Sequence, residues 1–565
     1  MSFRFLPCLL ALLVLPAAAQ VAAPVLPREA VVASANPQAT QAGLEVLRAG
    51  GNAFDAAVAV SAALGLVEPE SSGLGGGGFF LLHLAGTDRD VFVDAREAAP
   101  AAATRDMFLD ASGEPVRNLS VNGALAAAIP GLPAALEHVS KQYGRLPLAK
   151  ALAPAARMAR KGWRFEAKNA AMLDYRDEIL AKDPGAAALF LPGGRMPTAG
   201  TKLRNPDYAR TLEMLGRDGA AAFYQGGFAK RLVDGVRAAG GIWTIEDLAS
   251  YRVVEREPIR FQYGGYHIVT APPPSAGGAM LAEIFNVLSG YELALFDRID
   301  RTHLLVESMR RAYRDRAIYF GDPDFVKVPL DLLLNPSYAA GLRASINPRR
   351  ATPSDFLPGV GAAPQRPQTT HFSIIDREGN LAAVTQTVNL PFGNGLVVPG
   401  TGFLLNNEMD DFSAKPGVPN AFGLVGEDAN AIAPGKRPLS SMTPSILRSD
   451  ERVAVLGTPG GSRITSMVLL ALVALMDGAT AQEAVALPRF HHQYLPDEIS
   501  AEAKAFDASE VAALQQRGHT VTVATRTWGN MYIASWDLRS GAVATGADPR
   551  WEGEGRGASS GGIHR

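Results

Sequence analysis

The chain has 565 residues, of which 47% are hydrophobic and 19% charged, the composition of a globular protein long enough to bury a large core. With 54 basic against 56 acidic residues the net charge is −2, which excludes a basic field for nucleic acid and an acidic interaction tail. The single cysteine is Cys8.

The N-terminus reads as an export signal. Arg4 supplies the positive start, Leu9 to Leu15 form a short apolar run, and Pro16-Ala17-Ala18-Ala19 is a small-residue cleavage site. Cutting after Ala19 removes residues 1–19 and leaves no cysteine, so cysteine nucleophiles and cysteine-ligated metals drop out. From Ala39 to Leu66 helical spacing is broken at Gly50-Gly51-Asn52, giving two helices, the second (Asp55 to Leu66) apolar almost all round and therefore buried. The glycine cluster Gly73 to Gly78 leads into strands at Phe79 to Leu84 and Val91 to Asp94. Residues 130–346 read as mostly helical, with a strand at Ile268 to Thr270 and a stiff Pro272-Pro273-Pro274-Ser275 connection.

Ala351 to Gln368 is proline-rich and aperiodic, a surface linker or mobile tail. At Thr369 the texture changes. Thr370 to Ile375 and Leu381 to Val388 are strand-like arms around Asp376-Arg377-Glu378-Gly379-Asn380, a β-hairpin. Further strands are expected at Phe403 to Leu405, Ile446-Leu447, Val453 to Leu456, Val521 to Val523 and Ile533 to Ser535. A helix is expected over Ile464 to Met476; its apolar run from Met467 is half a membrane span, so it reads as buried. The glycine-, serine- and charge-rich tail after Arg550 reads as disordered.

A linker running straight into Thr369 has a chemical meaning. Breaking the Gln368–Thr369 bond would free an α-amine of pKa ~8 on the residue that carries the hydroxyl, supplying a base to a poor nucleophile. Three further segments could gather near it. Asn406-Asn407-Glu408-Met409-Asp410-Asp411-Phe412 carries three carboxylates, and Arg437-Pro438-Leu439-Ser440-Ser441-Met442 presents adjacent hydroxyls. Gly457-Thr458-Pro459-Gly460-Gly461-Ser462-Arg463 is a turn at a helix N-terminus, where backbone N–H groups favour an anion.

Together with Gln368-Thr369-Thr370-His371, Gly50-Gly51-Asn52, Gly73 to Phe79 and Pro272 to Gly278, these motifs resemble γ-glutamyltransferases over about Val31 to Arg550. The resemblance implies an α+β fold, the four-layer αββα sandwich of N-terminal nucleophile hydrolases, with two antiparallel sheets between helical layers. It implies self-cleavage into a large subunit (20–368) and a small one (369–565) that form one intertwined catalytic unit. Thr369 would be the autoprocessing and catalytic nucleophile, and Thr387 would orient it. Arg96, aided by Ser440 and Ser441, would pair with the substrate α-carboxylate, while Asn389, Glu408 and Asp411 would hold the α-ammonium. Gly460 and Gly461 would donate N–H groups to the oxyanion. Phe422 lies in the lid-like loop Pro416 to Gly426, where some members carry a tyrosine able to bond the residue equivalent to Asn389; phenylalanine cannot. Expected substrates are glutathione and other γ-glutamyl compounds, with water, amino acids or dipeptides as acceptors. Neither a cofactor nor a metal is expected, and the location would be periplasmic or extracellular.

Plainer readings apply elsewhere. Gly73 to Gly78 formally fits a dinucleotide fingerprint but follows a helix and precedes a strand, the reverse of that motif's context, so it reads as a close-packed turn. His491-His492 lacks metal-ligand spacing and reads as a structural or surface pair. His371 is given a structural role, roughly 6–7 Å along the strand from Thr369, and Asp410 reads as capping or solvating its loop. Asn118-Leu119-Ser120 is a glycosylation sequon without meaning in a bacterial periplasm. Two rival functions stand beside the first. A glutaryl or cephalosporin acylase would have little use for Glu408 and Asp411, and a non-enzymatic periplasmic binding or scaffold protein would have no use for the Thr369, Thr387 and Gly460-Gly461 set.

Overall fold

A computed structural model describes residues 24–357 and 369–558; the expected export signal, Gln368 and most of the expected linker lie outside the described residues. Two antiparallel sheets organise the molecule. The first has seven strands in the order Glu554–Gly557, Val31–Ser34, Thr370–Ile375, Leu381–Thr387, Gly77–Leu84, Arg89–Ala95, Val254–Arg256. The second has six, in the order Val543–Ala547, Tyr532–Asp537, Arg452–Gly457, Ser445–Arg448, Tyr266–Thr270, Ile259–Tyr263.

Side-chain alternation along a strand shows that the inner strands of the first sheet are buried on both faces. Phe80, Leu82, Phe372 and Ile374 join one core with the helix Ala53–Val67. Phe79, Leu81, Ile375 and Leu381 join another with the second sheet's Ile446 and Val455 and with the helices Gly277–Leu288 and Ile464–Met476.

Local chemistry sets the elements that position Thr369. The hairpin pairs Gln386 with Thr370 and Leu381 with Ile375. Its turn is closed by Asp376, whose Oδ1 accepts from the N–H groups of Glu378 (2.9 Å) and Asn380 (3.0 Å), with Gly379 at φ +85°, a conformation glycine adopts freely. The other oxygen of Asp376 accepts from Ala53 N at 2.9 Å, fastening the turn to the start of the buried helix. Asn52 and Asp55 complete a capping box there.

Several expectations need correction. Phe403 to Leu405 is not a strand; Leu405 makes only an isolated bridge to Gly75. The segment after Arg550 is ordered through Ala558, because Glu554–Gly557 pairs with Val31–Ser34. Glycine suits that edge: a Cβ at Gly555 would come within 2.4 Å of Thr545. The region 130–346 contains strands at Val254–Arg256 and Ile259–Tyr263 as well as Tyr266–Thr270. The start of the expected surface linker is mixed: Pro353, Asp355 and Phe356 are exposed, but Ala351 and Ser354 are buried, and Ser354 donates to Tyr494 O at 2.7 Å and accepts from Arg310 Nη1 at 2.6 Å. Among the described residues no helix is long and apolar enough to cross a membrane.

Candidate active site

Thr369, 5% exposed, sits immediately before the strand Thr370–Ile375. Its neighbour is anchored from below: Thr370 Oγ1 donates to Glu68 at 2.7 Å, and Glu68 is paired with buried Lys168 at 2.6 Å. Thr369 Oγ1 donates to Thr387 Oγ1 across the hairpin at 3.4 Å, a long contact, and Thr387 Oγ1 accepts from Asn389 N at 2.7 Å. Behind this pair the glycine cluster is closely packed. A Cβ at Gly75 or Gly76 would come within 2.0 Å of Leu404 O or Thr387 O, in keeping with the close-packed-turn reading.

Arg96, 1% exposed, follows the strand Arg89–Ala95. Its Nη1 pairs with Glu408 and its Nη2 with Asp411, while Nε donates to Pro438 O (3.1 Å) and Nη2 also to Leu439 O (3.3 Å). Glu97 lies 3.8 Å from Arg96 Nη1. Burial holds the carboxyl of Glu408 above the usual carboxylate range despite Arg96, and it pushes Glu97 up to about 7. Expectation assigned Arg96 to the α-carboxylate and Glu408 and Asp411 to the α-ammonium, two groups on one carbon; here the three side chains form one ion-pair network. Asn406 positions it by accepting from Glu408 N (2.9 Å) while donating to Gly75 O (2.7 Å) and Ala128 O (2.8 Å). Asn389, at φ +76°, donates to Asn407 O at 2.8 Å; asparagine tolerates that backbone region.

Ser440 is fixed beside the proline-rich connection by N–H donation to Pro274 O at 2.8 Å. Ser441 accepts from Arg316 Nη2 at 3.5 Å. Gly460 (φ +150°) and Gly461 (φ +55°) form the turn before Ile464–Met476, and no acceptor among the described residues takes either amide.

The loop bearing Phe422 folds over this site. Phe422 is 4% exposed, and its N–H donates to Asn420 Oδ1 at 2.9 Å. Asp410 is not solvated: it accepts from Ser120 Oγ (2.7 Å) and from Ala421 N (3.0 Å), tying the loop down. Gln493 makes a second tie. Its Nε2 donates to Gly423 O (3.2 Å) and its Oε1 accepts from Ser462 Oγ (2.8 Å), joining the loop to the glycine turn.

The predicted residues among those described line one small cavity of about 20 Å³, except Gly460, which lies beside Gly461 outside the lining. A larger cavity of about 450 Å³ near Asp247 and Phe325 contains none of them. Sequence reasoning missed Glu97, Arg316 and Gln493; no local pattern marks any of the three. His371 is structural, as expected. Both its nitrogens are engaged, with Thr385 Oγ1 (2.8 Å) and Ser373 Oγ (3.0 Å), and burial pulls it down to about 3. His491 and His492 are buried rather than on the surface, bonded to Ser466 and Asp497. Donor atoms of His303, Glu307 and His519 cluster within 4.8 Å, but Glu307 is paired with Arg310 and Arg311, cations that repel a metal ion.

The family model described as Gamma-glutamyltranspeptidase matches residues 39–558. The "Glutathione hydrolase proenzyme" of Escherichia coli (strain K12) is 43% identical over 509 residues, covering 88% of this chain and 87% of that one. A cephalosporin acylase from Bacillus halodurans has a similar structure, with TM-score 0.83 and 30% identity over 96% of this chain and 98% of its own. The γ-glutamyltranspeptidase of Helicobacter pylori gives TM-score 0.56 and 39% identity over 60% of this chain and 95% of its own.

Proposed function

Because this chain belongs to the γ-glutamyltranspeptidase family, we propose that Thr369 is the nucleophile with which it carries out γ-glutamyl hydrolysis and transfer. The chain is an autoprocessing γ-glutamyltransferase and glutathione hydrolase. In the precursor, Thr369 Oγ1 attacks the carbonyl of Gln368, and water opens the resulting ester. Residues 20–368 and 369–565 become the large and small subunits. The α-amine released on Thr369 then takes the proton from its own hydroxyl. Thr387 orients that hydroxyl.

The γ-amide carbonyl of the donor is attacked, and the Gly460 and Gly461 amides receive the oxyanion, a contribution of about 3 kcal/mol for one donor in comparable sites. The amine leaves, and a γ-glutamyl ester remains on Thr369. Water or the amine of an amino acid or dipeptide takes the acyl group. Arg96 with Ser440 and Ser441 reads the donor's α-carboxylate; Asn389, Glu408 and Asp411 read its α-ammonium. Phe422 covers the donor by packing. The helices flanking the two sheets are the outer layers of an αββα stack, and the enzyme works after export, in the periplasm or outside the cell.

One observation carries this reading: Thr369 shares a small cavity with a guanidinium and with carboxylates able to hold a zwitterion. N-terminal sequencing of the smaller fragment tests it, together with turnover of γ-glutamyl-p-nitroanilide. A fragment starting elsewhere than Thr369 overturns the nucleophile. The likeness to a cephalosporin acylase supports a second reading, a glutaryl acylase, which a faster rate on glutaryl-p-nitroanilide would favour.

A further inference from the structure

Arg316 lies near the end of the helix Arg298–Tyr319, 5% exposed, and lines the same small cavity as Thr369. Its partners are few. Among the described residues its side chain makes one hydrogen bond, the 3.5 Å contact to Ser441 Oγ, and its Nε has none. No carboxylate among those residues comes within 4.0 Å of it. Buried arginines are almost always paired, because a guanidinium out of water needs compensating charge. Burial draws its pKa down to about 10, so it stays charged at neutral pH.

Arg96 is in the opposite condition. Two carboxylates and two backbone carbonyls already engage it, and an incoming carboxylate would meet the like charges of Glu408 and Asp411. A second cation on the cavity wall offsets that repulsion, and its fork of N–H groups suits a carboxylate. We propose that Arg316 is a further specificity-determining residue of this site, acting beside Arg96 and together with Ser441 to receive the α-carboxylate of the acyl donor. This rests on the γ-glutamyl reading above.

Three p-nitroanilides of one acyl length test the assignment: γ-glutamyl, with carboxylate and ammonium; glutaryl, with the carboxylate alone; and 4-aminobutyryl, with the ammonium alone. Each is used as substrate or, where turnover is slow, as competitive inhibitor. Failure of the wild-type protein to turn over the γ-glutamyl anilide overturns the functional reading itself, whatever Arg316 does. In Arg316→Gln, loss of a charge-assisted pair is expected to raise KM or Ki at least ~10-fold for the two carboxylate donors, with kcat and the 4-aminobutyryl value within ~3-fold. An equal loss on all three compounds, or no change on any, overturns the proposal. Arg316→Lys, followed by its self-scission on a denaturing gel, covers the case in which the glutamine variant fails to fold. It keeps the charge without the fork and is expected to show a smaller rise confined to the same two donors; no such selectivity in this variant also overturns the proposal.

Discussion

Replacing Arg96 by lysine separates its charge from its geometry. The native guanidinium engages Glu408, Asp411, Pro438 O and Leu439 O from three nitrogens. A lysine offers three donors on one nitrogen, so one of those four bonds is lost outright, and a single nitrogen cannot span the fork's reach, which costs a second. Hydrogen bonds to charged groups contribute ~1.5–3 kcal/mol each. Two losses, partly offset by the charge retained, leave a deficit of about 3 kcal/mol. If the donor's carboxylate uses the same fork, that deficit appears in binding as a ~100-fold rise in KM, at 1.4 kcal/mol per factor of ten. The assay is initial rates of γ-glutamyl-p-nitroanilide cleavage by self-cleaved protein, with thermal unfolding measured in parallel. A KM within threefold of wild type, with an unchanged unfolding midpoint, would refute the reasoning.

Other outcomes follow from the same site. Thr369→Ala is expected to remain one uncut, inactive polypeptide, whereas Thr369→Ser keeps a hydroxyl and is expected to cut more slowly; a denaturing gel distinguishes them. Glu97 carries a pH signature. Burial raises it from 4.5 to about 7, so between those values the folded protein holds a proton that the unfolded chain has released. Its contribution to stability is full below pH 4.5 and is lost as pH rises through 7. Glu97→Gln is therefore expected to gain about 3 kcal/mol over wild type at pH 8 and almost nothing at pH 4.5, at 1.36 kcal/mol per unit, and parallel melting curves at both pH values would contradict this. Gln493→Ala removes the ties from Gly423 and Ser462, ~1 kcal/mol each. A looser lid is expected to shift product from the transferred γ-glutamyl compound toward free glutamate, a ratio that chromatography reads directly.

The hairpin after Thr369 and the helix Ala53–Val67 were legible in the sequence because their determinants are local. The former has a turn built around Asp376 and Gly379, the latter an Asn52 cap and an unbroken apolar run. Phe403 to Leu405 misled because strand propensity without a neighbouring strand makes no ladder. The reverse held for Glu554–Gly557, which has no apolar pattern and is ordered by pairing with a segment more than 500 residues away. The site divides in the same way. Thr369 is marked by its linker and strand, but the roles of Arg96, Glu408 and Asp411 entered through family resemblance. Their contacts span 312 and 315 residues, beyond any local pattern. Arg316 was hidden differently: its helix is rich in arginine and acidic residues, with no apolar stripe to show which side faces inward, yet most of it is buried.

The order of strands in the first sheet bears on what a cut before Thr369 does to the molecule. Val31–Ser34 lies between Glu554–Gly557 and Thr370–Ile375, and Leu381–Thr387 lies against Gly77–Leu84. Fragments from either side of the cut thus interleave across one ladder, meeting at three strand junctions, and neither can withdraw without breaking rows of backbone hydrogen bonds. The severed enzyme would therefore resist dissociation on dilution, and its specific activity would not depend on protein concentration. Two halves synthesised apart would each expose bare strand edges and would aggregate sooner than they would find each other.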